Sequence, residues 1–284
     1  MEKNKRKIFD MCDLICGTYF KHQCRVQLTD YKDARTPEFS VKQDPSLKND
    51  YVFCKPEFLN IFKELNILGD IEFVLVTHNS DINFNKEYIE AVVDFFPKME
   101  HWYTQNLLYD HPKVSPIPIG IGNPKWSHGN QERFKKIISK DVEKSNEVYV
   151  NFNVSTNSQA RNYCLDQLNM SIQTDYPNAA VIADHDKFVE STHETYLTDM
   201  AASYFTVSPL GNGVDCHKTW EALYMKSIPI VTRWFGVEKF KSLGIPMIIL
   251  NDWSEFGDLS LSEELYTELW GDFDPSHLTL DFFK

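Results

Sequence analysis

Two hydrophobic rhythms alternate along the second half of the chain. Short apolar runs rich in β-branched residues, at 148–152 (VYVNF), 179–183, 204–208, 228–232 and 247–250, predict buried strands. Between them apolar positions recur at helical spacing and predict helices at about 159–169, 194–203, 215–226 and 237–243. In the first helix Ala160, Tyr163, Cys164 and Leu168 fall at i, i+3, i+4 and i+8, one apolar stripe. In the third, Cys216, Trp220, Leu223 and Tyr224 share a side. Continuously apolar strands alternating with amphipathic helices predict a parallel sheet covered on both faces, a Rossmann-like unit.

The first half carries a weaker version of the pattern. Residues 71–77 (IEFVLVT) form the clearest strand in the chain, preceded by a helix at 56–65 and followed by one at 88–96. Extended stretches follow near 101–105 and 114–119. The polar segment 125–144 contains a helix and ends in the expected linker between domains, and the acidic, aromatic tail 252–284 carries one helix at about 262–270. The expected organisation is α/β with two Rossmann-like domains, 1–145 and 146–284.

Charge reinforces that division. The 284 residues hold 29 basic and 41 acidic side chains, net −12. Residues 1–145 contain 21 of each sign, so the whole excess lies in 146–284, with 8 basic and 20 acidic. An acidic chain argues against nucleic-acid partners, and no apolar run reaches the roughly 18–20 residues that span a bilayer. Neither membrane insertion nor a secretory signal is expected, and the location expected is cytoplasmic. The six cysteines make no CxxC pair. Cys12 and Cys16 are four apart, but no second pair follows to close a zinc site, and buried free thiols are the reading.

Candidate chemistry gathers in loops where strands enter helices, the ends at which open α/β sheets bind ligands. Ser208-Pro-Leu-Gly-Asn-Gly-Val-Asp215 joins a strand to a helix. Gly211 and Gly213 flank Asn212 in a loop that opens onto a helix N-terminus, an anion cradle or an ordinary turn. On the helix beyond it, His217, Lys218 and Glu221 gather on one side. They suit a nucleotide diphosphate, Lys218 on phosphate and Glu221 on ribose hydroxyls, or else form a salt bridge on a solvated face. Neither GxGxxG nor a Walker A loop is present. In the loop from Asn153, Arg161 is either a diphosphate clamp or a surface cation, and Arg233 is a lesser candidate. The loop Thr77-His78-Asn79-Ser80-Asp81 offers a general base, with Asp81 slightly favoured over His78; the alternatives are a capping Asp81 and a structural His78. Pro118, Gly120 and Asn123 read as a shaped turn without an assigned role.

The segment from Phe205, FTVSPLGNGVDCHKTWEALYMKSIPIV, resembles the exostosin-like glycosyltransferase family. The likeness extends to THNSD at 77–81, WYTQN at 102–106 and HPKVSPIPIGIGN at 111–123, so it covers about residues 70–250. Compact members from bacteria and large algal viruses carry similar segments. Lys218 departs from the pattern, since the family usually has arginine there. The resemblance implies GT-B architecture: two Rossmann-like domains facing a cleft, with the nucleotide sugar on the C-terminal domain and the acceptor on the N-terminal one. It also implies inverting, metal-independent transfer from a UDP-sugar to a glycan or glycoprotein hydroxyl, with no cofactor. UDP-xylose is the first donor to try, because the small virus-like relatives include xylose-transferring enzymes.

Two rivals stand beside it. A metal-dependent phosphoesterase would draw ligands from His78, Asp81, Asp184, His185, Asp186, Asp215 and His217, although no phosphoesterase motif set appears. A non-catalytic nucleotide-sugar or glycan-binding protein would use the abundant aromatics as stacking platforms.

Overall fold

The computed structural model describes residues 14–33, 36–42, 48–66, 68–181 and 192–283. The chain divides into two compact units, one of residues 15–119 and one of residues 120–284 joined by Leu14. The second unit therefore begins at Gly120, earlier than the expected boundary at 146. The reason is the helix α4 (Gln131–Lys140), whose Phe134, Ile137 and Ile138 are buried and which packs on a helix of that unit. A segment polar enough to read as a linker has one apolar face, and burial of that face decides where it belongs.

In the unit 15–119 the sheet order is β2-β1-β3-β4-β5-β6, built from Cys24–Asp33, Thr36–Val41, Lys48–Cys54, Phe73–Thr77, Met99–Thr104 and Val114–Pro116 as β1 to β6. Among the described residues only the β1–β2 strand pair is antiparallel. All five residues of β4 are buried, which fits a central parallel strand covered on both faces. Among the described residues the helices α1 (Gly17–His22), α2 (Leu59–Leu65) and α3 (Lys86–Phe95) accompany the sheet, the last capped by the Asn85 side chain. Phe62, Phe73 and Phe96 close one end of the core, with ring centroids 5.3–5.9 Å apart.

In the unit 120–284, β7 to β11 are Asn146–Val150, Ala180–Val181, Ser203–Val207, Ile228–Thr232 and Ile248–Leu250. They alternate with α5 (Ser158–Asp175), α6 (His193–Ala201), α7 (His217–Tyr224) and α8 (Phe235–Ser242), and α9 (Glu263–Gly271) follows. All strand pairs are parallel, in the order β11-β10-β9-β7-β8. The expected α/β class and parallel sheet are therefore present, and α5 runs six residues past its expected end at 169. The first strand of this unit, β7, lies between the second and third, so the winding reverses between β7 and β9. That reversal is the switch point at which such sheets open a crevice.

The core joins Val148, Val150, Phe205, Val207, Ile228 and Ile230 of the sheet to Cys164, Leu165, Leu168 and Ile172 of α5. The expected stripe on α5 is shifted. Tyr163 is 40% exposed and its hydroxyl donates to Asp252, while Leu165 takes the inward position. Tyrosine goes where its oxygen finds a partner and leucine where there is none. Cys16, Cys24, Cys54, Cys164 and Cys216 are buried free thiols, as expected; Cys12 lies outside the described residues. Among the described residues no helix is long and apolar enough to cross a membrane.

Candidate functional site

Both loops expected to carry chemistry in the unit 120–284 follow the two strands that flank its switch point. Residues 151–157 follow β7 and residues 208–216 follow β9. Arg161, on the first turns of α5, is 8% exposed and joins the two loops. Its Nε donates to the Leu210 carbonyl at 2.9 Å and its Nη1 to the Asn153 carbonyl at 2.6 Å. Asn157 adds a third tie, its amide donating to the Gly211 carbonyl at 2.8 Å. These bonds give Arg161 a part beside that of the expected diphosphate clamp. Two of the guanidinium nitrogens already serve loop carbonyls, so the side chain builds the loops' shape.

The loop 208–216 is fixed from below as well. The Ser208 and Thr219 hydroxyls are 2.9 Å apart, and the Ser208 N–H continues the sheet onto the Ile230 carbonyl. Asp215 is buried and accepts from the Trp220 indole at 2.9 Å. Cys216, with its thiol pushed up to about 11 by burial, donates to the Pro209 carbonyl. Gly211 and Gly213 are buried in this loop, and Asn212 is exposed at its tip. Arg233, the lesser candidate, is exposed and bonded to Asn251 and Glu238.

Two of the three side chains expected on one side of α7, Lys218 and Glu221, meet through a residue that the sequence did not single out. Tyr196 of α6 places its hydroxyl 2.7 Å from Lys218 Nζ and 2.7 Å from Glu221 Oε2. The ammonium donates to the tyrosine oxygen and the tyrosine proton goes to the carboxylate, a relay of three groups. The ammonium also lies 4.4 Å from the centroid of the Tyr196 ring. Glu221 is 5% exposed, yet its second oxygen, Oε1, takes no hydrogen bond among the described residues. Burial lowers the Lys218 ammonium to about 8, with Glu221 opposing the shift. His217 is held apart from this relay, its Nδ1 2.7 Å from the Gly120 carbonyl. Gly120 has φ of 66°, a conformation that glycine adopts without strain and that sets the direction of this carbonyl.

Three more groups complete the cluster. The His193 ring stacks on Tyr196 at 5.9 Å, and Arg133 of α4 donates to His193 Nδ1 at 2.8 Å. His128 sits 6.2 Å from the His217 ring, and burial lowers the pKa of both His128 and His193. His128 and Arg133 fall in the segment read from sequence as running into a linker. The signal that marked it otherwise was the density of glycine and histidine around 120–129.

In the unit 15–119 the loop after β4 is built around His78, which is 1% exposed. Its Nδ1 accepts from the Asn79 N–H at 2.7 Å, so its Nε2–H donates to the Pro118 carbonyl at 3.0 Å. The ring stacks near Phe20 of α1, at 5.4 Å. Both nitrogens are engaged within the fold, the arrangement that the reading of a structural histidine expects. Asn79, at φ of 64°, turns the chain, and its N–H also donates to Gln105. Ser80 donates to Glu57 at 2.7 Å. Asp81 emerges beyond this framework as an exposed carboxylate.

Among the described residues no three His, Cys, Asp or Glu side chains are grouped to hold a metal ion. Asp184, His185 and Asp186, considered as ligands from sequence, lie outside the described residues.

No family model matches the chain, and no curated protein matches it. Among solved structures, a crystal structure of Anabaena HepE in complex with UDP is similar at a TM-score of 0.41 and 10% identity, covering 82% of this chain and 77% of that one.

Proposed function

We propose that the chain is a glycosyltransferase of GT-B type that moves a sugar from a UDP-sugar to a glycan hydroxyl with inversion, forming a β-linkage. The unit 120–284 binds the donor and the unit 15–119 supplies the base. The observation that carries the reading is the Lys218–Tyr196–Glu221 relay beside the switch point of a parallel sheet. A buried carboxylate with one oxygen unbonded among the described residues accepts from a ribose hydroxyl, and the half-buried Lys218 ammonium nearby meets diphosphate oxygens. The segments resembling exostosin-like transferases contain these residues, which adds to the same reading.

In the reaction, Lys218 and the N–H groups that open α7 take up charge developing on the leaving diphosphate. Asp81 accepts the proton of the attacking hydroxyl as the new glycosidic bond forms on the face opposite the leaving group. Arg161, Asn157 and Ser208 keep the donor loops in one shape, so that these donors are aligned before the substrate arrives. Transfer proceeds without a metal or other cofactor, and UDP-xylose is the first donor to assay.

A panel of UDP- and GDP-sugars, assayed for donor hydrolysis and transfer with and without EDTA, tests the activity. Asp81→Asn should lower turnover by about 10²–10⁴-fold and leave UDP affinity near that of the parent. Glu221→Ala should weaken UDP binding by about 1–3 kcal/mol. An α-linked product by NMR would overturn inversion, and UDP binding with no transfer from any donor would leave a binding protein.

A further inference from the structure

The unit 15–119 holds a cavity of about 210 Å³ that the proposed transfer does not use. It lies where α2 and α3 end and β4 begins. α2 closes on Asn66 in a left-handed conformation, φ 42°, and the chain turns through Gly69 before entering β4 at Phe73. The Phe73 N–H donates to the Lys98 carbonyl at 3.2 Å, which brings the segment after α3 beside the same turn. The loop 77–81 stands at the other end of β4, five residues and roughly 16 Å away.

The walls are mostly rings. Phe62, Phe73 and Phe96 line the cavity and are only 3–7% exposed, with centroids 5.3–5.9 Å apart. Leu68 and Pro97 add further apolar surface. Cores ordinarily close such spaces, because wall atoms that face a gap forfeit dispersion contacts. An apolar cavity of roughly 150 Å³ holds benzene, so one of about 210 Å³ takes a single aromatic ring and a short arm. A sugar fits these walls poorly, since its hydroxyls would meet phenyl carbons and go without partners.

The rim carries charge of both signs. Lys63, Lys98 and Asp70 line the cavity and are exposed, and among the described residues none of the three is ion-paired. The Lys63 ammonium lies 3.8 Å from the centroid of Phe95, a lining ring that is itself 39% exposed. A carboxylate suits the two ammonium groups, and an ammonium suits Asp70. A ligand with one ring and both charges therefore matches walls and rim together.

We propose that this cavity binds a free aromatic α-amino acid, its ring among Phe62, Phe73 and Phe96, its carboxylate toward Lys63 and Lys98, and its ammonium toward Asp70. The site is separate from the donor cluster and stands whether or not the chain transfers sugar.

The experiment titrates the ¹⁵N-labelled full chain with L-phenylalanine, 3-phenylpropionate and phenethylamine, the last two lacking the ammonium and the carboxylate respectively. L-Phenylalanine should give saturable shifts at amides of residues 62–73 and 95–98, with Kd on the order of millimolar. It should bind roughly two- to fivefold more tightly than either truncated probe, the range for partly exposed charge pairs. Lys98→Glu should remove most of its advantage over phenethylamine, and Asp70→Asn its advantage over 3-phenylpropionate. Both side chains are exposed, so both variants should fold as the parent does. No saturable binding, shifts confined to other residues, equal affinity for the three probes, or unchanged selectivity in both variants would each overturn the proposal. A parent that sediments as a dimer and binds none of the probes would make a second copy of the chain the occupant and overturn it too.

Discussion

Arg161 separates two accounts of the donor loops. If it laces the loops after β7 and β9, its loss should be felt first in stability. Arg161→Ala removes two charge-assisted hydrogen bonds, of 2.9 and 2.6 Å, from a side chain only 8% exposed. Such bonds contribute about 1.5–3 kcal/mol each, and one shared side chain makes the pair less than additive, so roughly 3 kcal/mol is expected. For a unit of this size that is a fall of roughly 6–12 °C in the midpoint of its melting transition. Arg161→Lys keeps the charge but lacks the fork that reaches two carbonyls at once, so it should lose about half as much. The assay is thermal unfolding followed by near-ultraviolet circular dichroism, with UDP affinity measured below the transition. A melting midpoint unchanged in Arg161→Ala, together with a large loss of UDP affinity, would refute the lacing argument and restore the direct diphosphate clamp.

Three further outcomes are expected. Lys218 titrates at about 8 in the ligand-free protein, and a bound diphosphate favours its charged form, so binding above pH 8 takes up a proton and UDP affinity should fall as pH rises, by up to about tenfold per unit. Lys218→Arg should abolish that slope, and an identical slope in the variant would place its origin elsewhere. A methyl group at Gly17 would fall on the side chains of His78 and Asn79, so Gly17→Ala should destabilise the unit 15–119 by about 1–3 kcal/mol and lower turnover, while calorimetry finds parent-like UDP affinity. Lys144 donates to the Ser203 and Lys226 carbonyls at 2.7 Å each, and burial lowers its pKa from 10.5 to about 7. Between those values the folded chain binds fewer protons than the unfolded one, so stability should rise with pH there, and urea titrations should find a smaller rise in Lys144→Met.

The periodicities determined most of the second unit. A continuous apolar run can be buried on both faces only in a covered parallel strand, and a stripe every three or four residues only on a helix, so β7 to β11 and α5 to α8 were legible locally. The strand-to-helix loops carrying Arg161, Gly211 and Lys218 followed from those boundaries. In the first unit β1 to β3 were not legible. Their sequences, CRVQLTDYKD, TPEFSV and KNDYVFC, break the apolar pattern with charged residues; parallel pairing holds β1 against β3 and β3 against β4, and antiparallel pairing holds β2 on β1.

What only the tertiary structure decided was which polar groups meet. His78 is satisfied by Pro118, 40 residues away; Arg133 fixes His193 across 60 residues; His217 meets Gly120 across 97. Sequence spacing reports which face of an element is apolar, because hydrophobic burial is non-directional and needs only a periodic stripe. A hydrogen bond needs one donor and one acceptor within about 3 Å in a fixed direction, and strand order sets that geometry after the chain has folded. The residue types of the candidate site were therefore proposed from the sequence. Packing decided which of them bond within the fold, as His78, Arg161 and Asp215 do, and that Glu221 keeps one oxygen without a hydrogen bond among the described residues.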